Sequence, residues 1–307
     1  MLSLILAERI GSLFIIGFCG FLLVKTGLLK SEQSRTLSVW SIYVLLPCVI
    51  LNSFRISCTP ETRTNFYFSV LAALMVHLIW LIACEILKRV LHLTGVELAS
   101  AYFPNSANLI IPIVSYILGD EWLIYCNGFL CVQMAFVWTY GLSAVKGERS
   151  ADLKGLFMNP SIISILVGVI FFFLQPPLPG IINGALDSMT AAIGPASMIM
   201  IGMQMASVNF RKALSNRRLY MAVFLRLIFL PGMILPVLKF SGLAAWREQG
   251  QMLLLITLLA SCSPCASIIA QLAQIYHKEE EYASLINTVT TLCCIVTMPL
   301  MVFLYQL

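Results

Sequence analysis

Charge is scarce in this sequence. Only 11% of its 307 residues are Asp, Glu, Lys or Arg, while 60% are hydrophobic, which excludes an ordinary soluble globular protein. Histidine is rarer still, with three residues. No hydrophilic stretch is long enough to fold as a separate soluble domain, so the work has to be done within the bilayer. The formal charge of +5 carries no nucleic-acid signal, because the basic residues sit in short loops between apolar runs. A disulfide framework is missing too: the ten cysteines fall almost entirely within apolar runs, where they behave as small apolar residues.

What is present is a series of apolar runs of membrane-spanning length. The hydropathy pattern predicts ten of them, over 5–24, 34–54, 66–87, 98–118, 121–144, 156–174, 183–206, 217–238, 249–273 and 281–305. The start, Met1 to Arg9, lacks the basic n-region of a signal peptide and its apolar run continues past Arg9, so it reads as a retained first span. Of the nineteen basic residues, the odd-numbered loops hold thirteen: Lys25, Lys30, Arg35, Lys88, Arg89, Lys146, Arg149, Lys154, Arg211, Lys212, Arg217, Arg218 and Lys278. The even-numbered loops and termini hold Arg9, Arg55, Arg63, Lys239 and Arg247. By the positive-inside rule the odd loops face the cytoplasm and both termini face outward.

Two interruptions break the apolar pattern. Pro104-Asn105-Ser106-Ala107-Asn108-Leu109-Ile110-Ile111-Pro112 lies inside the fourth predicted span, and Ser261-Cys262-Ser263-Pro264-Cys265-Ala266-Ser267 inside the ninth. Proline removes a backbone donor and clashes with the preceding turn, and in hydrocarbon the freed carbonyls need partners or a cavity. Broken helices at matching positions of two halves point to a transporter's substrate site. Leu46-Pro47-Cys48 in span 2 also corresponds to Gly194-Pro195-Ala196 in span 7. Five spans per half is an odd number, so the second half enters from the opposite side. The expected fold is an all-α integral membrane protein, a single transmembrane unit over 1–307. It comprises a first inverted repeat over 1–145, a cytoplasmic linker over 146–155 and a second repeat over 156–307, with helices 4 and 9 broken.

Asn105, Asn108, Pro112 and Ser115 recur at spacings of three and four, which puts them on one helical face. An amide at mid-depth is costly unless hydrogen-bonded; it suits either capping of the break or contact with a ligand carboxylate. Ser261, Ser263 and Ser267 surround Pro264, with Gln271 one turn beyond, and each hydroxyl can also back-bond to its own helix. Cys262-Ser263-Pro264-Cys265 has the C-x-x-C spacing but no redox fold or further ligands around it, so no metal is expected. Arg226 is the one basic residue deep in a span. Burying it costs at least about 2.5 kcal/mol on insertion scales, so it serves either as a fixed charge near the crossing or as a cap on the carbonyls of a broken helix. His77 is the only mid-span histidine, a buried hydrogen-bonding residue or a proton-coupling group. Glu85 is expected to pair with Lys88 and Arg89, and Asp187 to sit near the outer surface. No predicted span has a carboxylate at its centre, which disfavours an antiporter built on buried aspartates. No nucleophile motif suggests an enzyme.

These residues resemble those of the auxin efflux carrier family, bacterial type, within the bile-acid/arsenite/riboflavin transporter superfamily. Pro104-Asn105 followed by Pro112 is similar to the family's P-N-x-x-x-x-G-x-P pattern in the fourth span. Leu45-Leu46-Pro47, Asn159-Pro160, Pro195 with Gly202, Arg226, Ser263-Pro264, Ala270-Gln271-Leu272-Ala273 and Pro299 also match family positions in order, over essentially the whole chain. Ile110 stands where the family usually has glycine, and Asn108 where it more often has an apolar or aromatic residue. The long hydrophilic loop of the plant carriers is absent.

The resemblance implies a ten-span fold related to sodium/bile-acid symporters and sodium/proton antiporters, in which spans 4 and 9 would be unwound and cross at mid-membrane. Spans 1, 2, 6 and 7 would form a scaffold, a candidate homodimer surface, and spans 3–5 and 8–10 a transport domain. The expected function is secondary active transport of a small organic anion, such as auxin or a dicarboxylate like malonate, by elevator-type alternating access in the cell's inner (plasma) membrane. The ligand would meet Asn105, Asn108, Pro112, Ser261, Ser263, Pro264 and Ser267 at breaks made by Pro104, Pro112 and Pro264. Arg226, His77 and Gln271 are the charge or coupling candidates. No cofactor is expected; coupling to sodium or protons, or uniport, stays open. The alternative is a membrane sensor or regulatory subunit that binds a solute without moving it.

Overall fold

Prolines, glycines and capping residues set where the helices begin, bend and stop. The structure, a computed structural model, describes residues 2–149, 153–206 and 216–307. Residues 150–152 of the predicted linker, and Arg211 and Lys212 of the charge count, lie outside the described residues. Among the described residues the chain is helical, with no β-sheet and one isolated antiparallel bridge between Pro104 and Cys265. The helices are α1 (Leu2–Lys25), α2 (Ser31–Ser53), α3 (Pro60–Leu91), α4 (Gly95–Tyr102), α5 (Ile111–Leu118), α6 (Asp120–Lys146) and α7 (Leu153–Met158). They continue with α8 (Pro160–Leu174), α9 (Gly180–Met205), α10 (Arg217–Phe240), α11 (Gly250–Ser261), α12 (Ser267–Ile275) and α13 (Glu280–Gln306). Of these, α2, α3, α6, α9, α10 and α13 are long and apolar enough to cross a membrane. The apolar helices α8, α11 and the Gly11–Lys25 part of α1 are shorter.

Local chemistry explains the ends. Pro60 opens α3 after Thr59, whose hydroxyl accepts from Thr62 N–H, and Lys88 and Arg89 lie in its last turn. Asn159 and Pro160 start α8 in the same way. Thr94 and Glu97 form a reciprocal capping box at the start of α4. Inside the long helices, widened π-type turns span Ser41–Leu45 and Leu225–Phe229, and another, Ser106–Ile110, leads into α5. Each of these three ends two residues before a proline, Pro47, Pro231 and Pro112, whereas a fourth such turn, Val137–Gly141 in α6, has no proline after it in its helix. The wider turn makes room for the pyrrolidine ring and the carbonyl it leaves without a donor.

The helices pack in two groups. One contains α1, α2, α8 and α9; the other contains α3, α6, α10 and α13 around the arms α4, α11 and α12. The arm α5 lies between the groups, against α1 and α9 on one side and α6 on the other. The close packing of α1 on α9 depends on glycine: a Cβ on Gly202 would lie 1.8 Å from the Gly17 carbonyl oxygen. Without tightly packed small residues, helices in lipid have little to hold them together.

The shared helical face expected for Asn105, Asn108, Pro112 and Ser115 is not what forms. Asn105 precedes the widened turn in a non-helical conformation, φ −84° and ψ 59°, and α5 begins only at Ile111. The extra residue in that turn breaks the 3.6-residue period. Ser115 hydrogen-bonds Asp120 at the far end of the arm.

Candidate functional site at the crossing of two broken helices

Two antiparallel backbone hydrogen bonds make the crossing. Asn105 N–H donates to the Pro264 carbonyl at 2.7 Å, and Ala266 N–H donates to the Phe103 carbonyl at 2.8 Å. The two prolines thus sit in short extended segments that satisfy each other's backbone, as an interior without water requires. Four chain ends meet here: the carbonyl ends of α4 and α11, and the N–H ends of α12 and of the turn leading into α5.

Arg226 binds the two carbonyl ends together. Its Nε donates to Ser263 O at 3.1 Å, Nη1 to Ala101 O at 2.9 Å and Tyr102 O at 3.1 Å, and Nη2 to Ser261 O. The residue is 0% exposed, and its guanidinium lies 4.7 Å from the centre of the Trp80 ring. Helix carbonyl ends carry a partial negative charge, so one buried cation balances both. The capping described for Arg226 from sequence is therefore made, and to both breaks at once.

At the opposite ends stand Asn105 and Ser267, whose side chains meet: Asn105 Nδ2 donates to Ser267 Oγ at 3.3 Å. Asn105 flanks the widened turn and Ser267 opens α12. Among the described residues no carboxylate hydrogen-bonds to either of these N-terminal ends. The side chain of Asn108 lies outside the described ones. Pro112 faces the other helix group, where a Cβ on Gly194 would lie 3.6 Å from Pro112 Cβ.

The remaining predicted residues are dispersed. Ser261 and Ser263 turn their hydroxyls back onto Thr257 O and Ala260 O, at 2.8 and 2.7 Å, so only their carbonyls serve the crossing. Gln271 Nε2 reaches Ser38 Oγ of α2 at 3.4 Å. His77 is enclosed by Trp80, Tyr102, Phe129 and Phe136, with Phe136 stacked on it at 5.2 Å. Its Nδ1 is 3.2 Å from Tyr102 Oη, which in turn donates to His77 O at 2.9 Å. Glu85 accepts from Tyr140 Oη at 2.8 Å and forms no ion pair with Lys88 or Arg89, a correction to the expected pairing. The helix turns Glu85 toward α6 instead. Asp187 is exposed and pairs with Arg55 at 2.9 Å.

Several residues at the site escaped the sequence reading. Gln133 of α6 donates to Pro104 O at 2.8 Å and accepts from Ser106 Oγ. As an amide in an apolar run, it gave the same signal as Asn105. Thr290 Oγ1 accepts from Cys265 N–H at 3.1 Å; a lone threonine in a long helix gives no such signal. Buried Glu97, one residue before the predicted fourth span, is held by Arg218 through Nε–Oε1 and Nη2–Oε2 contacts of 2.9 Å each and by Tyr282 at 3.0 Å.

The crossing is closed in this structure. Asn105 and Ser263 are buried, and a cavity of about 870 Å³ lies between α3 and α6. That cavity is lined by Glu85, Lys88, Phe136, Tyr140 and Glu148 among others and by no crossing residue.

No curated relative matches the chain. Residues 5–302 match the family described as membrane transport protein, one of transporters rather than enzymes, and the apolar helices fit a multi-pass membrane protein. A match over nearly the whole chain, with two proline-broken helices crossing in its interior, makes this protein a member of the membrane transport protein family, that of the auxin efflux carriers.

Proposed function

We propose that the chain is a secondary active transporter of a small organic anion, a carboxylate or dicarboxylate, bound at the crossing and moved by elevator-type alternating access. The observation that carries this reading is the charge balance around the breaks. Arg226 neutralises the two carbonyl ends, while the two N–H ends beside Asn105 and Ser267 have no acidic partner among the described residues. Free amides at a helix N-terminus favour an anion. The 3.3 Å bond between Asn105 and Ser267 is a weak neutral contact, and a carboxylate between them would replace it with stronger charge-assisted bonds.

The proposed topology counts α4 with α5, α7 with α8, and α11 with α12 as single interrupted crossings, giving ten in two inverted repeats. Pairings that map onto one another under that symmetry support it: α1 packs on α9 as α8 packs on α2, and α3 packs on α6 as α10 packs on α13. The two packed groups correspond to a scaffold and a moving domain. The excess of basic residues in odd loops favours cytoplasmic odd loops and outward termini. The aromatic enclosure of His77 favours a packing role for it over proton coupling.

The test is a thermal-shift panel of mono- and dicarboxylates on purified protein, with and without sodium, followed by counterflow in proteoliposomes. A carboxylate that raises the melting temperature and supports counterflow is the expected result, and its sodium and pH dependence assigns the coupling. Stabilisation by none of the acids, or binding without counterflow, overturns the proposal.

A further inference from the structure

Two buried hydroxyls of the helix group that packs beside the crossing have no hydrogen-bond partner: Ser41 Oγ on α2 and Ser197 Oγ on α9. Both residues are 0% exposed. A serine inside a helix ordinarily donates to the carbonyl one turn back, as Ser164 does to Pro160 O at 2.8 Å. A buried hydroxyl without that bond is costly, and in a binding site it is an unmet contact.

Their depth follows from neighbouring contacts. Ser31 bonds Met203 O at one end of α2, and Asn52 bonds Thr190 at the other, so α2 and α9 run antiparallel. Asn127 of α6 bonds Ser53, and α6 reaches the crossing only at Gln133, so the crossing lies further toward the Ser31 end. From Ser267 at the crossing, α12 runs one turn to Gln271, which meets Ser38. Ser41 is one turn from Ser38 on the same face, and so stands level with Ser267.

The second hydroxyl follows by the same logic on α9. The arm α5 runs from the crossing toward the start of α6, and its Pro112 meets Gly194. One turn from Gly194, away from Thr190, comes Ser197. It stands back toward the crossing from Pro112.

We propose that Ser41 and Ser197 are scaffold-side specificity contacts. They hydrogen-bond a second oxygen-bearing group, a carboxylate or hydroxyl, of a short organic acid whose first carboxylate is held by Asn105 and Ser267. This rests on the anion reading of the crossing and narrows it: the preferred ligand is polar at both ends. The two serines belong to one helix group and the crossing to the other, so these contacts exist only when the groups are in register.

The test measures affinities of butyrate, 3-hydroxybutyrate and succinate for the full-length protein and for Ser41→Ala, Ser197→Ala and the double variant. The wild type is expected to bind succinate about tenfold or more tighter than butyrate, the scale of one or two hydrogen bonds to a charged group. In the double variant the preference should fall to within about twofold, with butyrate affinity unchanged, while each single variant loses part of it. If the double variant does not fold, the single variants decide. Retention of the full succinate preference by the variants, or equal loss of all three ligands, overturns this inference while leaving the anion reading intact. Failure of the wild type to bind any of the three overturns both.

Discussion

Asn105 and Pro264, 159 positions apart in sequence, are joined by a 2.7 Å backbone hydrogen bond. Each break in a helix supplies what the other lacks. The same junction brings four helix ends of opposite polarity to one depth, and the side chains nearby sort them by charge.

Arg226 is the mainstay of that junction. Arg226→Ala should leave four buried carbonyls without that donor and cost about 3–5 kcal/mol, the scale of several buried acceptors left unsatisfied at about 1–3 kcal/mol each. Arg226→Lys should recover only part of this, since one ammonium cannot span acceptors on both arms as the guanidinium fork does. Thermal unfolding of the detergent-purified variants checks this; a lysine variant as stable as the wild type contradicts it.

Glu97 and Arg218 tie α4 to α10. Glu97 is buried and Arg218 half-exposed, so Arg218→Ala should cost about 1–3 kcal/mol, below the fully buried range, because it leaves a carboxylate unpaired. In a Glu97→Gln background the same change should cost under about 1 kcal/mol. A double-mutant cycle on unfolding measures the difference; equal costs in both backgrounds would show that the pair is not coupled.

His77 touches the crossing through Tyr102, whose hydroxyl it shares and whose carbonyl Arg226 caps, and through Trp80, against which Arg226 lies. His77→Gln should lower stability by about 1–2 kcal/mol through lost ring packing and leave the pH profile of transport unchanged. A displaced profile would give His77 a part in coupling.

The breaks were legible in the sequence because prolines beside an asparagine or serines are conspicuous in apolar runs. The role of Arg226 was legible as one of two readings, since a buried guanidinium has few physical options. The dispersal of the serines was not: back-bonding by Ser261 and Ser263 and bonding across the crossing by Ser267 look identical in sequence. Nor was the exit of Asn105 from the helical face, because a widened turn changes periodicity without changing composition. Gln133 was overlooked although its signal was present. Glu97 escaped because it fell one residue outside a predicted boundary, where a charge looks ordinary.

The most direct test of the central claim, an anion held at the crossing, is counterflow of a labelled carboxylate substrate in proteoliposomes with Asn105→Ala. Loss of uptake by at least about tenfold is expected, the scale of a charge-assisted hydrogen bond, in a protein that still elutes as a single folded species. Uptake by Asn105→Ala at the wild-type rate would contradict the assignment.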